Sequence, residues 1–320
     1  MPRSVRLIPV LALFCLAPAA LRAQSSGATP DHSAAVSNTP APSVVNTVRE
    51  RVLRMTDFLD TILPGTLGKE NVTLHFTPKF SDFRDREFVR YPLEVRYGAT
   101  DHLELTGGIT PFGPNPINSG RDHRWGPGEL DFGARYDLHG PLFFYDKATV
   151  GIENRVPIGK PPIDLNDGYT HVRPWLATSR TLRSHPFTTF YTNFSYDRSV
   201  ILTHRETAPP QYVTRRHTLE IVPGLLYKPG EFGYFGEYRF RHFEEPTNRH
   251  LGHEVQVGTI WDVPLWRTER WRLPGKWQVE LGYRFTTEEG RGHSQGITAR
   301  VNWRTTLREV LTQLPMKSSH

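Results

Sequence analysis

The sequence predicts an all-β protein: an antiparallel barrel of about twelve strands that spans an outer membrane, with a short N-terminal amphipathic helix. The prediction rests on the composition, an export signal and twelve segments with a two-residue period. Hydrophobic residues make up only 37% of the 320 residues, and the mean hydropathy is −0.49. This excludes a bundle of membrane-spanning helices, each of which needs about 20 apolar residues. The 26 glycines, 27 prolines and 12% aromatic residues favour short strands joined by turns.

The first 23 residues have the three parts of a secretory signal. Arg3 and Arg6 precede an apolar run at 7–21, and Ala23 is a small residue suited to cleavage. Cleavage there removes three arginines and no acid, so the net charge falls from +6 to +3. The single cysteine, Cys15, is removed with them, so the mature chain has no disulfide. Export and this small charge argue against nucleic acid as a partner.

Two further segments precede the first strand. Residues 24–43 are rich in Ser, Ala, Pro and Thr, and they predict a flexible linker because they cannot bury a core. In 44–65 apolar residues recur at three- and four-residue spacing, which predicts a periplasmic amphipathic helix with Ser43 as its N-cap. A plug in the barrel and an oligomerising coil are the alternatives for this segment.

Apolar and polar residues alternate through 71–304, so each strand has one apolar and one polar face. In 130–138, for example, Leu130, Phe132 and Tyr136 alternate with Asp131 and Arg135. The predicted strands are 71–80, 88–98, 102–110, 127–138, 146–157, 170–181, 187–198, 214–227, 232–242, 251–262, 276–287 and 293–304. Each is about the length that a tilted strand needs to cross a bilayer. An even strand number places both chain ends on one side, so 305–320 is a periplasmic tail with a short helix.

Aromatic residues near strand ends favour a membrane barrel over a secreted soluble one, which is the alternative. Tyr97, Tyr136, Tyr227 and Trp303 lie on the apolar face, as in an interfacial girdle. The polar face must then line a wet interior, because lipid does not accept its charges. The predicted pore-lining residues are Glu94, Arg96, Glu104, Glu129, Asp131, Arg135, Glu153, Arg155, Arg173, Glu220, Glu237, Arg239, Glu254, Arg284 and Arg300.

One loop is a candidate constriction. If residues 111–126 fold inward, they bring Arg121, His123, Arg124 and Trp125 to the mouth of the barrel. An exposed outer loop explains the same residues equally well.

Catalytic, metal and cofactor motifs are missing from the sequence. The fourteen histidines lack metal-ligand spacing, and no Gly-x-Ser-x-Gly occurs. His293 and Ser294 are adjacent on a strand, so they face opposite sides of the wall and cannot easily pair as base and nucleophile. We therefore predict a protein that is not an enzyme and that binds no metal and no cofactor.

Two motifs carry a family resemblance. Residues 97–105 (YGATDHLEL), followed by a loop and 126–136 (GPGELDFGARY), resemble the outer-membrane transporter-like barrels of the MetA-pathway phenol-degradation family. Glu129 and Asp131 stand around that family's acidic position, and Arg135 stands where a lysine is common. Residues 156–159 (VPIG) are similar to its strand-ending element. The resemblance covers roughly residues 88–160 and implies a channel or uptake barrel for small molecules, aromatic or hydrophobic ones among them.

The resulting hypothesis is passage of small solutes through the barrel, with outer-membrane lipid and small-molecule solutes as partners. A non-conducting structural or adhesive barrel is the first alternative, and an outer-membrane lipid hydrolase is the second. The sequence leaves open whether the chain forms a homo-oligomer.

Overall fold

The computed structural model describes residues 55–81, 88–116, 124–138, 141–158, 168–202, 217–245, 249–290 and 292–313. The predicted signal (1–23), the predicted linker (24–43), the start of the predicted helix (44–54) and the end of the tail (314–320) lie outside the described residues.

Twelve antiparallel wall strands close into a barrel, as the sequence predicts. A small hairpin precedes them, formed by β1 (Asp57–Phe58) and β2 (Thr61–Ile62). The wall elements are β3 (Asn71–Phe76), β4 (Lys79–Ser81), β5 (Phe88–Arg90), β6 (Leu93–Gly98), β7 (Leu103–Pro114), β8 (Gly126–Leu138), β9 (Lys147–Pro157), β10 (Tyr169–Leu182), β11 (His185–Leu202), β12 (His217–Tyr227), β13 (Phe232–Glu244), β14 (Arg249–Asp262), β15 (Lys276–Glu288) and β16 (Gly292–Thr306). Helices α1 (Leu265–Arg270) and α2 (Leu307–Gln313) follow β14 and β16.

The barrel closes where its last strand meets its first. β16 pairs with both β3 and β4, and β7 pairs with both β5 and β6. β3 with β4, and β5 with β6, therefore each form one interrupted wall strand. We call the end where β3 begins and β16 ends the terminal end, and the opposite end the loop end.

Side-chain exposure shows which face of the wall is outside. Leu281 is 53% exposed, whereas its neighbour Glu280 is 1% exposed. The same alternation leaves Val255, Val257 and Phe132 exposed on the outer surface. A continuous apolar belt around a closed barrel with a polar interior is the surface that lipid requires, so the fold is that of an outer-membrane barrel.

Both described helices lie at the terminal end. α1 lies in the connection 263–275, which is longer than the inner turn that the loop rhythm predicts. Trp277 and Trp303 close this connection, since each indole N–H donates to the carbonyl oxygen of Pro274 at 2.8 Å. α2 forms where the tail spacing predicts a helix, and Thr306 with Glu309 caps it. No helix among the described residues is long and apolar enough to cross a membrane.

The predicted helix at 44–65 is wrong for its second half. Residues 55–66, which we call the luminal hairpin, turn back at Leu59 and Asp60 inside the barrel, and Leu59 adopts a φ of 44°. The hairpin buries Met55, Phe58 and Leu63 against inward side chains of the wall. Its backbone groups find partners on the barrel instead of in a helix, and this is the plug that the sequence leaves open as an alternative.

Candidate functional site

All fifteen predicted pore-lining residues lie on the inner face of the wall. Twelve of them line one cavity of about 530 Å³: Glu94, Arg96, Glu129, Asp131, Glu153, Arg155, Arg173, Glu220, Arg239, Glu254, Arg284 and Arg300. Of the other three, Arg135 and Glu237 bind the luminal hairpin, and Glu104 accepts a hydrogen bond from the Leu67 amide directly after it. The inner face is therefore divided into a cavity and a seat for the hairpin.

The cavity occupies the half of the lumen nearer the loop end. It reaches Thr218 at the start of β12 and Glu288 at the end of β15. Its floor is the tip of the hairpin, formed by Leu59, Asp60 and Thr61. Among the described residues, the lumen holds this cavity above the hairpin and is filled by the hairpin below.

Barrel side chains bind the backbone of the hairpin directly. The Leu59 amide donates to Glu280 Oε2 at 2.6 Å, and Arg300 Nη1 donates to the Leu59 carbonyl oxygen at 2.8 Å. Arg135 Nη1 donates to the Thr56 carbonyl oxygen at 3.0 Å. The Gly65 amide donates to Thr149 Oγ1 at 2.7 Å. These hydrogen bonds pair backbone groups that are buried in the lumen. Leaving such groups buried and unpaired would cost free energy.

A buried carboxylate anchors the base of the hairpin. Asp57 Oδ2 lies 2.7 Å from Arg300 Nη2, 2.9 Å from Arg96 Nη2 and 3.6 Å from His75 Nδ1. Burial alone would raise the pKa of the Asp57 carboxyl, but Arg300, Arg96, His75 and Arg135 hold that pKa well below its usual range. Asp57 is therefore ionised at every physiological pH, and the two guanidinium groups bind it as a carboxylate.

Apolar contacts complete the seat at the terminal end. The Phe58 ring packs edge-on against Tyr191, with centroids 5.5 Å apart, and against Phe235 at 4.4 Å. Leu226 and Ile260 belong to the same buried cluster. Full burial of an aromatic side chain stabilises by about 1.5–3 kcal/mol relative to exposure, so this cluster holds the hairpin together with the charges.

The tip of the hairpin carries a second carboxylate, and it faces the cavity. Asp60 Oδ1 lies 2.6 Å from Lys79 Nζ. Burial would raise the pKa of Asp60, but Lys79, Arg239 and Arg284 lower it well below its usual range. The tip therefore presents a permanent negative charge to cations of the wall.

Ion pairs neutralise most arginines around the cavity. Arg155 lies 3.0 Å from Asp197, Arg173 2.9 Å from Glu220 and Arg241 2.9 Å from the same Glu220. Two cations differ from this pattern. Neither Arg90 nor Arg284 has a carboxylate oxygen within 4.0 Å among the described residues.

Sequence reasoning missed several residues of this lumen. Lys79 and Asp197 lie on the polar phase of predicted strands, so extending the alternation would have included them. Arg90 lies on the inner phase of its strand as well. Asp57 and Asp60 carried no such signal, because the helix pattern placed them on a solvent-facing surface.

The structure places Trp125 against the outer face of the wall and not at the mouth of the barrel. It is 65% exposed, and its ring stacks on Tyr91 with centroids 5.4 Å apart. It lies over Gly113, where any side chain would clash with the indole ring. Trp125 does not line the cavity, so inward folding is wrong for this residue. The Arg124 guanidinium lies over the Phe88 ring, 6.0 Å from its centroid, and its role in a constriction stays a prediction. Arg121 and His123 lie outside the described residues.

The adjacent His293 and Ser294 face opposite sides of the wall, as predicted. Ser294 lines the cavity, whereas the His293 ring stacks on the exposed Phe285 at 6.1 Å. They cannot form a base–nucleophile pair in this arrangement. Within the described part of the chain, no group of three or more His, Cys, Asp or Glu residues is placed to hold a metal ion.

Comparison with known proteins identifies the fold. No protein-family model and no curated protein sequence matches the chain. The structure is similar to the COG4313 outer membrane channel from Pseudomonas putida F1, with a TM-score of 0.50 and 11% identity over 78% of this chain and 99% of that chain. The NanC porin is more distant, with a TM-score of 0.43, 9% identity and coverage of 73% and 98%. The KdgM porin in complex with disordered oligogalacturonate has a TM-score of 0.42, 9% identity and coverage of 72% and 98%.

At 11% identity, the likeness to the COG4313 channel establishes the outer-membrane barrel fold alone. The resemblance to the phenol-degradation family stays a prediction, because no family model matches the chain.

Proposed function

We propose that this chain is an outer-membrane channel for small solutes, lined by the fifteen inward-facing acids and arginines and closed on the periplasmic side by the luminal hairpin. The observation that carries the proposal is the cavity of about 530 Å³, which extends from the hairpin tip toward the loop end. A barrel that served only as a scaffold would need neither a cavity nor a separate segment that fills the rest of the lumen.

The lining favours a polar or charged solute. Acids, arginines, threonines and serines form most of the cavity wall, and Phe243 is its one aromatic residue among the described positions. An apolar solute would have to displace water from these charges without replacing the lost interactions. The aromatic compounds implied by the family resemblance fit this lining only if they also carry a charged or polar group.

Passage requires the hairpin to leave its seat. The contacts of Asp57, Phe58 and Leu59 reach β6, β11, β15 and β16, so the hairpin crosses the lumen between these strands. Closed and open states therefore differ by withdrawal of residues 55–66.

Single-channel recording in a planar bilayer tests the proposal, with the refolded chain compared with a variant lacking residues 55–66. We expect rare, brief openings from the full chain and stable, stepwise conductance from the deletion variant. A salt gradient then measures the ion preference of the open lumen. A deletion variant that folds, as judged by heat-modifiable gel mobility, but does not conduct would contradict the channel and leave the structural barrel.

A reversible lock makes the same test without a deletion. The mature sequence has no cysteine, so Leu59→Cys with Gly282→Cys introduces one disulfide between the hairpin and the wall. These positions are in contact, since a side chain built at Gly282 meets Leu59. We expect conductance to be abolished when the pair is oxidised and to return on reduction, whereas Leu59→Cys alone should not respond to either treatment.

A further inference from the structure

The feature that extends the proposed function is a group of three cations on one wall of the cavity. Lys79 and Arg90 stand directly opposite each other on β4 and β5. Arg284 lies on β15, two strands from β4, and the residue opposite it on the intervening β16 is Gly296. Glycine has no side chain at that position, and Lys79 stands opposite Thr298, the next inward residue on β16.

Among the described residues, these cations have fewer carboxylate partners than the other arginines of the cavity. Like charges directly opposite each other on paired strands are destabilising unless an anion lies between them. Lys79 has a single carboxylate partner, Asp60, while Arg90 and Arg284 have none within 4.0 Å among the described residues. Arg155, Arg173 and Arg241 elsewhere in the same cavity all have wall carboxylates within 3.0 Å. In the described part of the chain, the shortage of carboxylate partners is therefore confined to this group of cations.

The carboxylate that pairs with Lys79 comes from the hairpin, and the nearest wall carboxylate to Arg284 is Glu254, which stands opposite Thr286 on β14. Asp60 stands at the tip, 2.6 Å from Lys79 Nζ, and it is also within the electrostatic reach of Arg284. The Asp60 carboxylate thus already binds one of the three cations, so a carboxylate is a ligand that this group can bind. Guanidinium groups bind carboxylates in a two-bond arrangement, so Arg90 and Arg284 are suited to a further one.

We infer that Lys79, Arg90 and Arg284 form a binding site for a small organic carboxylate, for which Asp60 of the luminal hairpin is the built-in competitor. This inference rests on the proposed function, because the site lies on the path through the barrel. A solute carboxylate that reaches the cavity competes with Asp60 for Lys79. Solute binding and hairpin seating then oppose each other.

The opposite wall sets the preferred charge of the solute. Asp131 and Glu153 line the cavity on β8 and β9, across from β15. A second negative charge on the solute would face these acids. The site should therefore prefer a monocarboxylate to a dicarboxylate of similar size.

Equilibrium binding of butyrate to the refolded full chain in detergent, followed by ligand NMR, tests the site without requiring conductance. We expect saturable butyrate binding, with weaker binding of succinate and none of the neutral 1-butanol. Arg90→Gln and Arg284→Gln should each weaken butyrate binding by about tenfold, the usual effect of losing a hydrogen bond to a charged group. Asp60→Asn should strengthen it, because the competitor is removed.

Arg249→Gln is the matched control, since Arg249 is an exposed arginine with a carboxylate partner at 2.7 Å on the rim. It should bind butyrate like the unaltered chain. Equal binding of butyrate and 1-butanol, or unchanged binding by Arg90→Gln and Arg284→Gln, would overturn the site. Failure of binding with stepwise conductance of the hairpin deletion contradicts the site alone, whereas binding without any conductance contradicts the channel.

Discussion

The two halves of the lumen are lined by the same kinds of residue, and they differ in what fills them. Near the terminal end, Glu280, Arg300 and Arg135 each bond to the hairpin, and the space between them is occupied. Near the loop end, Arg155 and Arg173 pair with carboxylates of the wall itself, and the described residues enclose a cavity between them. A polar inner face therefore does not decide whether a barrel is open. What decides it is whether the wall charges find partners on the wall or on a segment of chain inside the lumen.

The largest expected effect comes from removing the carboxylate that anchors the filled half. Asp57→Ala leaves Arg96 and Arg300 buried without their shared partner, and breaking a buried pair on one side costs about 3–5 kcal/mol. We expect the ratio of open to closed time in single-channel records to rise more than a hundredfold. If the channel stays closed while the barrel remains heat-modifiable, charge pairing at Asp57 does not hold the hairpin.

A smaller effect is expected from crowding the seat while keeping every charge. In Gly282→Ala the new methyl group would meet Leu59 and lie 2.9 Å from Gln256 Nε2. Overpacking of this kind costs about 1–3 kcal/mol, so the open time should rise roughly tenfold or more. Gly236→Ala is the control, because the nearest atom to its new methyl group is 3.9 Å away. Equal behaviour of the two variants would show that the seat is loosely packed.

Strongly acidic conditions should weaken the seat at Asp57. Arg300 and Arg96 hold the pKa of the buried Asp57 below its usual range, so its contribution to seating is present above about pH 4 and is lost as the pH falls further. At pH 3 the seat should be weaker by about 1 kcal/mol, which opens the channel several-fold more often. Recordings between pH 3 and pH 7 measure this, and Asp57→Asn should remove the dependence. A rise in opening between pH 7 and pH 5 would assign the titration to another group.

The smallest effect is expected at the rim of the open half. Arg249 and Glu244 pair at 2.7 Å, and they are 71% and 44% exposed. Exposed pairs contribute at most about 1 kcal/mol, so Glu244→Gln should change neither the open time nor the denaturant midpoint measurably. If Glu244→Gln raised the open time as much as Asp57→Ala, the two halves of the lumen would not differ in how their charges hold the closed state.

The wall of the barrel was predictable from the sequence because it depends on local alternation. Alternate residues of a strand face opposite sides of the wall, so the sequence of one strand is enough to place Glu254 inside and Val255 outside. The loop residue Trp125 was harder to place, since its position depends on the space above Gly113 and on the ring of Tyr91. No periodic pattern carries that information.

The hairpin was not predictable for a related reason. Met55, Leu59 and Ile62 have helical spacing, and a short helix and a buried hairpin bury the same residues. The choice between them is made by Glu280 and Arg300, which bind the Leu59 backbone from positions 221 and 241 residues away. Tertiary contacts of this kind override local preference, and only the closed barrel reveals them.

The same long separations bear on the order in which the protein assembles. Arg300 lies on β16, the strand that pairs with β3 to close the wall, and Glu280 lies on the strand before it. Contacts this distant in sequence form late because the chain between them must first be ordered. The hairpin is synthesised before every wall strand, yet its seat is complete only after the last one is paired. The hairpin can therefore bind its seat only after the last strands of the barrel have paired, and an incompletely assembled barrel cannot bind it.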